Sequence, residues 1–380
     1  MRKTILYSLA FIALGLASSS LGPTLPALAA QTNAEMKQIS NLFIARSFGN
    51  MIGSWLIGRF YDRIAGHPIL ASSLLASAVA MALMPSATLL PVLLMLTSFL
   101  GVASASINVG ANSLIVLVHG ERVRPFISTL HFAFGLGGFL APMLVASMVN
   151  RANSLHLTYW SLALVIIPVA LLTFLAPSPA LQGHHHLESK TPLPATIITL
   201  FALFFFLEVG AEATVMGWYF SYAAERGMSL RTAAYMNSGF WAAFTLGRLA
   251  AIWMSVRFNA VTMIVTHLAI TMVIALSLLI FLPTAPALWF GAIGLGAAVA
   301  PIFPSTFGLA QRILGLSGKV MGFFLVGSSA GSMFWPWLTG QFFKSQGPQI
   351  MVWVSLLNLL GALAILTILV SRSRREIASE

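Results

Sequence analysis

Long apolar runs, broken mostly by single charges, constrain this chain more than any motif in it. Twelve stretches of roughly twenty mainly apolar residues follow one another along the sequence. Their approximate edges are 5–30, 41–58, 68–86, 88–117, 126–149 and 156–177, then 195–222, 232–256, 261–282, 287–310, 319–343 and 350–370. Each is long enough, as a helix, to cross a hydrocarbon layer of about 30 Å. Inside lipid no water can satisfy backbone N–H and C=O groups, so a spanning segment must close its hydrogen bonds within itself. Composition points the same way. Of 380 residues only 8% are charged and 58% are hydrophobic, whereas a soluble domain carries about 25% charged residues. So few charges cannot coat a water-facing surface, and the chain is too apolar for disorder. The expected class is an all-α membrane protein with twelve transmembrane helices.

The formal charge is +11, a balance that in a soluble chain suggests nucleic acid. Here the basic residues are scattered between apolar runs, so nucleic-acid binding is not expected. With the N-terminus inside, Arg2, Lys3, Arg59, Arg63, Arg122, Arg124, Lys190, Arg257, Arg312, Lys319, Arg372, Arg374 and Arg375 fall on the cytoplasmic side. Lys37, Arg151, Arg226, Arg231 and Lys344 fall outside, and Arg46 and Arg248 within spans. That excess sets both termini in the cytoplasm. Short loops suggest a prokaryotic inner membrane, and a monomer is expected. Arg2, Lys3 and the run ending Ala27-Leu28-Ala29-Ala30 also describe a secretory signal. The apolar stretch outruns a usual signal core, so a retained first span is expected. Cysteine is absent, which excludes disulfide scaffolds, thiol catalysis and cysteine-ligated metals.

Two matches share an offset of 195 residues. Gly15-Leu-Ala-Ser-Ser-Ser-Leu-Gly22 meets Gly210-Ala-Glu-Ala-Thr-Val-Met-Gly217, and Gly101-Val-Ala-Ser-Ala-Ser-Ile107 meets Gly296-Ala-Ala-Val-Ala-Pro-Ile302. Pro142 meets Pro336 near the same shift. Small residues at matching places also arise wherever greasy helices pack closely. With six spans on each side, the matches favour two parallel six-helix repeats around a central cavity. The expected units are an N-terminal bundle over 1–177, a cytoplasmic linker over 178–194, and a C-terminal bundle with a short basic tail over 195–380.

Gly58-Arg-Phe-Tyr-Asp62-Arg63-Ile-Ala-Gly66-His67 follows the second span. It resembles the loop signature of the major facilitator superfamily, with one extra residue between Arg63 and Gly66 and His67 where Arg or Lys is usual. Glycines permit a tight turn, and Asp62 can pair with a neighbouring cation at a helix end. Such a contact, broken and remade, would latch one half to the other; a plain solvated turn is the alternative. Further stretches look like one branch, the fucose/glucose cation symporters and in particular the sodium-dependent glucose transporter group. These are Ala45-Arg46-Ser-Phe-Gly49, Leu130-His131-Phe-Ala-Phe-Gly135, Val209-Gly210-Ala-Glu212 with Gly217-Trp218, Leu246-Gly247-Arg248-Leu249 and Ile302-Phe-Pro304. The resemblance implies uptake of a sugar with a cation by alternating access. Fucose-type members use acids in spans one and four. Here span one offers Ser18, Ser19, Ser20 and Thr24, and span four offers Asn108 and Asn112.

A charge at the bilayer centre costs about 2.5–3.5 kcal/mol on insertion scales, so residues kept there need partners, water or a task. Glu208 and Glu212 lie one turn apart on one face of span seven. Together they can bind a proton, hold Na⁺ with neighbouring oxygens, or pair structurally with Arg248 or Arg46. Arg46 is also close enough to a span end to snorkel. Asn108, Asn112, His131 and Asn237 are candidate substrate contacts. The two span-four amides suit sugar hydroxyls or an interhelical bond, and His131 suits a sugar contact, a proton relay or plain packing. Trp218, Trp241 and Trp335 can offer ring faces to a pyranose or sit as interface anchors. Pro301 and Pro304 should interrupt span ten, and Pro336 span eleven. His184, His185 and His186 read as a solvated spacer, and neither a metal site nor a cofactor is expected beyond a coupling ion, H⁺ or Na⁺. Walker, zinc-helix and serine-elbow patterns are missing from the sequence, and two carboxylates without a nucleophile make a poor active site. A proton-driven exporter of lipophilic drugs or siderophores, and a nutrient sensor on a transporter fold, are the competing readings.

Overall fold

The computed structural model describes residues 2–61, 63–152, 154–179, 195–281, 283–314 and 318–378. Most of the expected linker, with its three histidines, lies outside them, as does Asp62. Fifteen α-helices run in order among the described residues: α1 (Arg2–Ser19), α2 (Leu21–Gln31), α3 (Met36–Ile39), α4 (Asn41–Tyr61), α5 (Gly66–Leu83), α6 (Leu90–His119), α7 (Arg124–Met148) and α8 (Ser154–Leu175). The second half gives α9 (Ala195–Glu225), α10 (Leu230–Ser255), α11 (Ala260–Ile280), α12 (Ala285–Val299), α13 (Ile302–Leu314), α14 (Gly318–Phe343) and α15 (Ile350–Ala378).

Local chemistry sets the ends. Ser229, Asn259 and Thr284 cap α10, α11 and α12, each accepting from a backbone N–H three residues on. Two breaks have proline as their cause. The ring of Pro23 faces the carbonyl of Ser19 four residues earlier and removes one ladder bond, and α1 bends by 47° into α2 at Ser20. The sequence reading had one unbroken span there. Pro301 divides α12 from α13 as expected, while Pro336 lies inside a continuous α14.

Among the described residues eight helices are long and apolar enough to cross a membrane, or nine when the α1–α2 pair counts as one. The other long helices, α4, α10 and α14, have comparable lengths. Their lower apolarity comes from residues such as Arg46, Asn50, Asn237, Arg248 and Ser332. A count of twelve spans is consistent with this arrangement.

Packing repeats between the halves. α1 packs on α7, α4 on α6 and α5 on α8; correspondingly α9 packs on α14, α10 on α12 and α11 on α15. The sequence repeat marks these seams. A Cβ added at Gly101 would run into the carbonyl oxygen of Arg46, and one at Gly296 into that of Phe240. The halves meet through α7 on α10, α4 on α14 and α2 on α9. This is an all-helical membrane fold of two related six-helix units.

Candidate functional site

The halves seal at the face opposite the N-terminus. A Cβ at Gly22 would stand 2.9 Å from the carbonyl oxygens of both Met216 and Gly217. Beside this crossing the Phe43 ring leans on Trp218, which stacks on Phe343 with centroids 4.6 Å apart. Gln341 Nε2 donates to Lys37 O and Ser40 Oγ, each at 3.1 Å. Filling the crossing should open the seal. Overpacking by Gly22→Leu costs about 1–3 kcal/mol, a roughly five- to 150-fold population shift. Because the chain lacks cysteine, a Ser18→Cys probe reads it directly. Methanethiosulfonate applied to that face should label the probe faster by that factor in the Gly22→Leu background.

Beneath the seal lies a cavity of about 230 Å³ between the halves, whose polar lining includes Ser18, Arg46, Asn50, Glu212 and Ser332, with Trp241 beside them. Arg46 does not snorkel. Its Nη1 donates to Ala17 O at 2.9 Å and its Nη2 to Ser18 Oγ at 3.2 Å, so the guanidinium lies against α1. Pro23 cannot donate to Ser19, and the bend it causes follows directly after these two acceptors. Across the cavity, Arg248 Nη2 stands 3.9 Å from Glu212 Oε1, a loose pair whose side chains are 26% and 13% exposed. The Arg248 guanidinium also rests over the Phe244 ring, 4.4 Å from its centroid. Trp241 is 3% exposed and its indole N–H has no partner. A buried donor beside a cavity is available to a ligand.

Glu208 is different. It is fully buried, and neither carboxylate oxygen has a hydrogen-bond partner. Of the structural pairing that the sequence allows with Arg248 or Arg46, Glu212 makes a loose one with Arg248, and Glu208 makes none among the described residues.

The other predicted residues scatter. Asn237 is fully buried, one turn from Trp241, with both amide atoms unpartnered. Asn108 and Asn112 bond to each other within α6, Asn112 Nδ2 donating to Asn108 Oδ1 at 2.8 Å, so they form no bridge between helices. Phe99 lines a 460 Å³ apolar groove between α4, α5 and α6, and Asn108, two and a half turns further along α6, projects from the opposite side of that helix. Asn108 does not line that groove. His131 is exposed and meets the edge of the Phe11 ring, at 5.9 Å. Trp218 is fully buried in the seal, its Nε1 donating to Pro336 O at 2.8 Å, and does not line the cavity. Trp335 packs against Gly210 and Phe206.

The gating loop is shorter than expected, because Gly58 lies in the last turns of α4 and Gly66 opens α5. Arg63 is exposed. His67 does not serve as the loop's basic residue. It is buried, with Nε2 against Tyr7 Oη at 2.8 Å and Nδ1 against Ala176 O at 2.9 Å, and so ties α1 to the end of α8.

Sequence reasoning missed Asn50 and Ser332, which line the cavity. The available signal was a polar residue inside an apolar span, which was applied only to some spans.

A family model described as Major Facilitator Superfamily matches residues 7–336. The mouse protein "Sodium-dependent glucose transporter 1A" is 29% identical over 375 residues, covering 87% of each chain. Its human counterpart, "Sodium-dependent glucose transporter 1", is also 29% identical, over 87% of this chain and 71% of that one. Among solved structures, a nucleoside transporter superposes with a TM-score of 0.80 at 14% identity, covering 97% of this chain and 99% of the other. A D-xylose-proton symporter does so with a TM-score of 0.75 at 14% identity, covering 94% and 96%. The chain is an integral, multi-pass membrane transporter, and it belongs to the major facilitator superfamily.

Proposed function

We propose that this transporter imports a hexose or a similar small polyol together with Na⁺ or H⁺. It works as a monomer in a prokaryotic inner membrane with both termini cytoplasmic. One observation carries the reading: a carboxylate, Glu212, lines the central cavity on a span whose second carboxylate, Glu208, is buried without any partner. Two such groups one turn apart in hydrocarbon resist being ionised together, so an exchangeable cation stabilises them. The names of the mouse and human relatives support a sugar and sodium. That of the xylose symporter supports a sugar and a proton.

The cavity suits such a cargo. At about 230 Å³ it is smaller than the roughly 300–1,000 Å³ of sites for drug-sized ligands, which disfavours a lipophilic exporter. Arg46, Asn50, Ser18 and Ser332 offer donors and acceptors to hydroxyls, and Trp241 offers its indole N–H. Asn108 and His131 stand on the way to the cytoplasmic side. Alternating access then follows from rocking the halves about the α4–α14 and α7–α10 seams. Occupation of both sites stabilises the closed intermediate, which couples the fluxes.

Two measurements test this. Thermal shift across a panel of sugars, with and without sodium, should give a rise for a monosaccharide that one cation enhances. A rise only with lipophilic dyes would reject the assignment, and binding without flux in proteoliposomes would favour a sensor. Arg46→Lys keeps the charge but cannot make the forked contact to α1. With about 1.5 kcal/mol per bond to a charged group, KM for uptake should rise about tenfold.

A further inference from the structure

The indole of Trp241 borders the cavity from α10, in the second half, yet its seat is provided by α7 of the first half. A Cβ built on Gly138 would collide with Trp241 Cε3 and stand 2.7 Å from Cδ2 and 3.0 Å from Cζ3. All three atoms belong to the outer, six-membered ring of the indole, so that ring rests directly on the glycine. Phe134, one turn earlier on α7, meets the indole edge to face with centroids 5.8 Å apart, and Phe244 does the same from α10 at 5.7 Å. Ser238, three residues before Trp241, donates from Oγ to the carbonyl oxygen of Phe139 at 3.0 Å. Phe139 follows Gly138 in the chain, so this bond pins the register of α10 on α7 and keeps glycine and indole opposite each other.

The glycines of α7 divide by what they meet. A Cβ at Gly137 would strike the carbonyl oxygen of Ile12 and stand 2.9 Å from Leu16 N, so Gly137 is required by the backbone of α1. Gly135 faces the side chain of Thr245, which does not line the cavity. Gly138 faces a ring that does. The three nearest obstacles to a Cβ there are all atoms of the Trp241 ring, so a methyl group is accommodated by moving the ring. With Phe134 and Phe244 on its flanks, the open direction is the cavity. A displaced ring would take space from the cargo and re-aim the unpartnered indole N–H. In a cavity of about 230 Å³ such a change is large, because one methylene more or less in a close-fitting pocket changes discrimination about ten- to 200-fold.

We propose that Gly138 is a positioning residue for the cargo. By seating the Trp241 indole it sets the width of the cavity, and that width admits the six-carbon frame of a hexose. Seat and indole belong to different halves, so the width is set while α7 and α10 are docked, and the seam about which the halves rock also selects the cargo. This deepens the reading of the cavity as a sugar site and rests on it.

The test compares D-glucose with D-xylose, which lacks the hydroxymethyl group of the larger sugar, in proteoliposomes of the full chain. Gly138→Ala should raise KM for glucose about tenfold, leave KM for xylose within about threefold, and keep the maximal rate. In a Trp241→Phe background the outer ring of the indole is gone, and the same glycine exchange should change neither KM further, as expected of a coupled pair. Gly135→Ala, which presses on Thr245 in the same seam, should affect both sugars alike. An unchanged ratio of the two KM values in Gly138→Ala would overturn the proposal, as would an equal shift of that ratio in Gly135→Ala or in the Trp241→Phe background. Early melting of Gly138→Ala that Trp241→Phe does not relieve would also overturn it, since Gly138 would then be a packing residue of the seam. A second readout needs no sugar. A Ser18→Cys probe in the cavity should react about tenfold more slowly with benzyl methanethiosulfonate in Gly138→Ala, and with the methyl reagent at an unchanged rate. If the wild type carries neither sugar, this size-selective slowing keeps the positioning role while the functional reading falls; without the slowing, both fall.

Discussion

Replacing Glu212 with Gln should abolish uphill accumulation while leaving exchange of substrate across the membrane. Moving one elementary charge through 100 mV supplies about 2.3 kcal/mol, enough to sustain roughly a fiftyfold gradient of a neutral solute. Wild-type proteoliposomes carrying that potential should approach this ratio, and Glu212→Gln should stay near unity. Gln has nearly the shape of Glu, so the cavity wall persists. What is lost is the negative charge that meets Arg248. The guanidinium keeps its place over Phe244 and has water within reach, since its side chain is 26% exposed. Folding is therefore expected to survive, and counterflow of labelled substrate should continue. The comparison of accumulation with counterflow is the measurement, and full uphill uptake in the variant would refute the coupling role of this carboxylate.

The fold was legible because lipid simplifies the problem. With backbone bonds forced inside each segment, counting apolar runs is nearly counting helices. The offset of 195 then carried real geometry, since Gly101 and Gly296 both sit where one helix backbone meets another. Less legible were features that depend on which side of a helix faces which neighbour. Arg46 lies near a span end and reads as a snorkelling cation, yet the bend near Ser20 accompanies two acceptors on α1 that hold it inward. Asn108 and Asn112 look like interhelical glue, but their spacing of four lets them bond to each other. Trp218 shares a motif with Gly217 and reads as a sugar platform, but Phe43 and Phe343 enclose it in the seal.

The same repeat yields the largest expected effect on folding. Gly101→Leu and Gly296→Leu should each prevent recovery of monodisperse protein, whereas Gly308→Leu and Gly322→Leu should not. At Gly101 the first side-chain carbon would meet the carbonyl oxygen of Arg46 and stand 2.9 Å from Asn50 N, and at Gly296 it would meet the carbonyl of Phe240. Both obstacles are backbone, so no rotamer change relieves them and the helices must part. A single added methyl already costs about 1–3 kcal/mol in a tight seam. Against that stands at most about 1 kcal/mol gained from replacing glycine in a helix. Leucine adds three more carbons to the same collision and forces apart α4 and α6, or α10 and α12, over several turns. For a protein of ordinary stability, about 5–15 kcal/mol, that is enough to remove the folded population. Around Gly308 and Gly322 nothing lies within 4 Å of an added Cβ, so there the helix gain acts alone. Fluorescence-detected size-exclusion chromatography of all four variants separates the outcomes. Equal losses at the two repeat-related positions would tie both halves to one packing rule. Tolerance at Gly296 alone would mean that the second half packs by different contacts from the first.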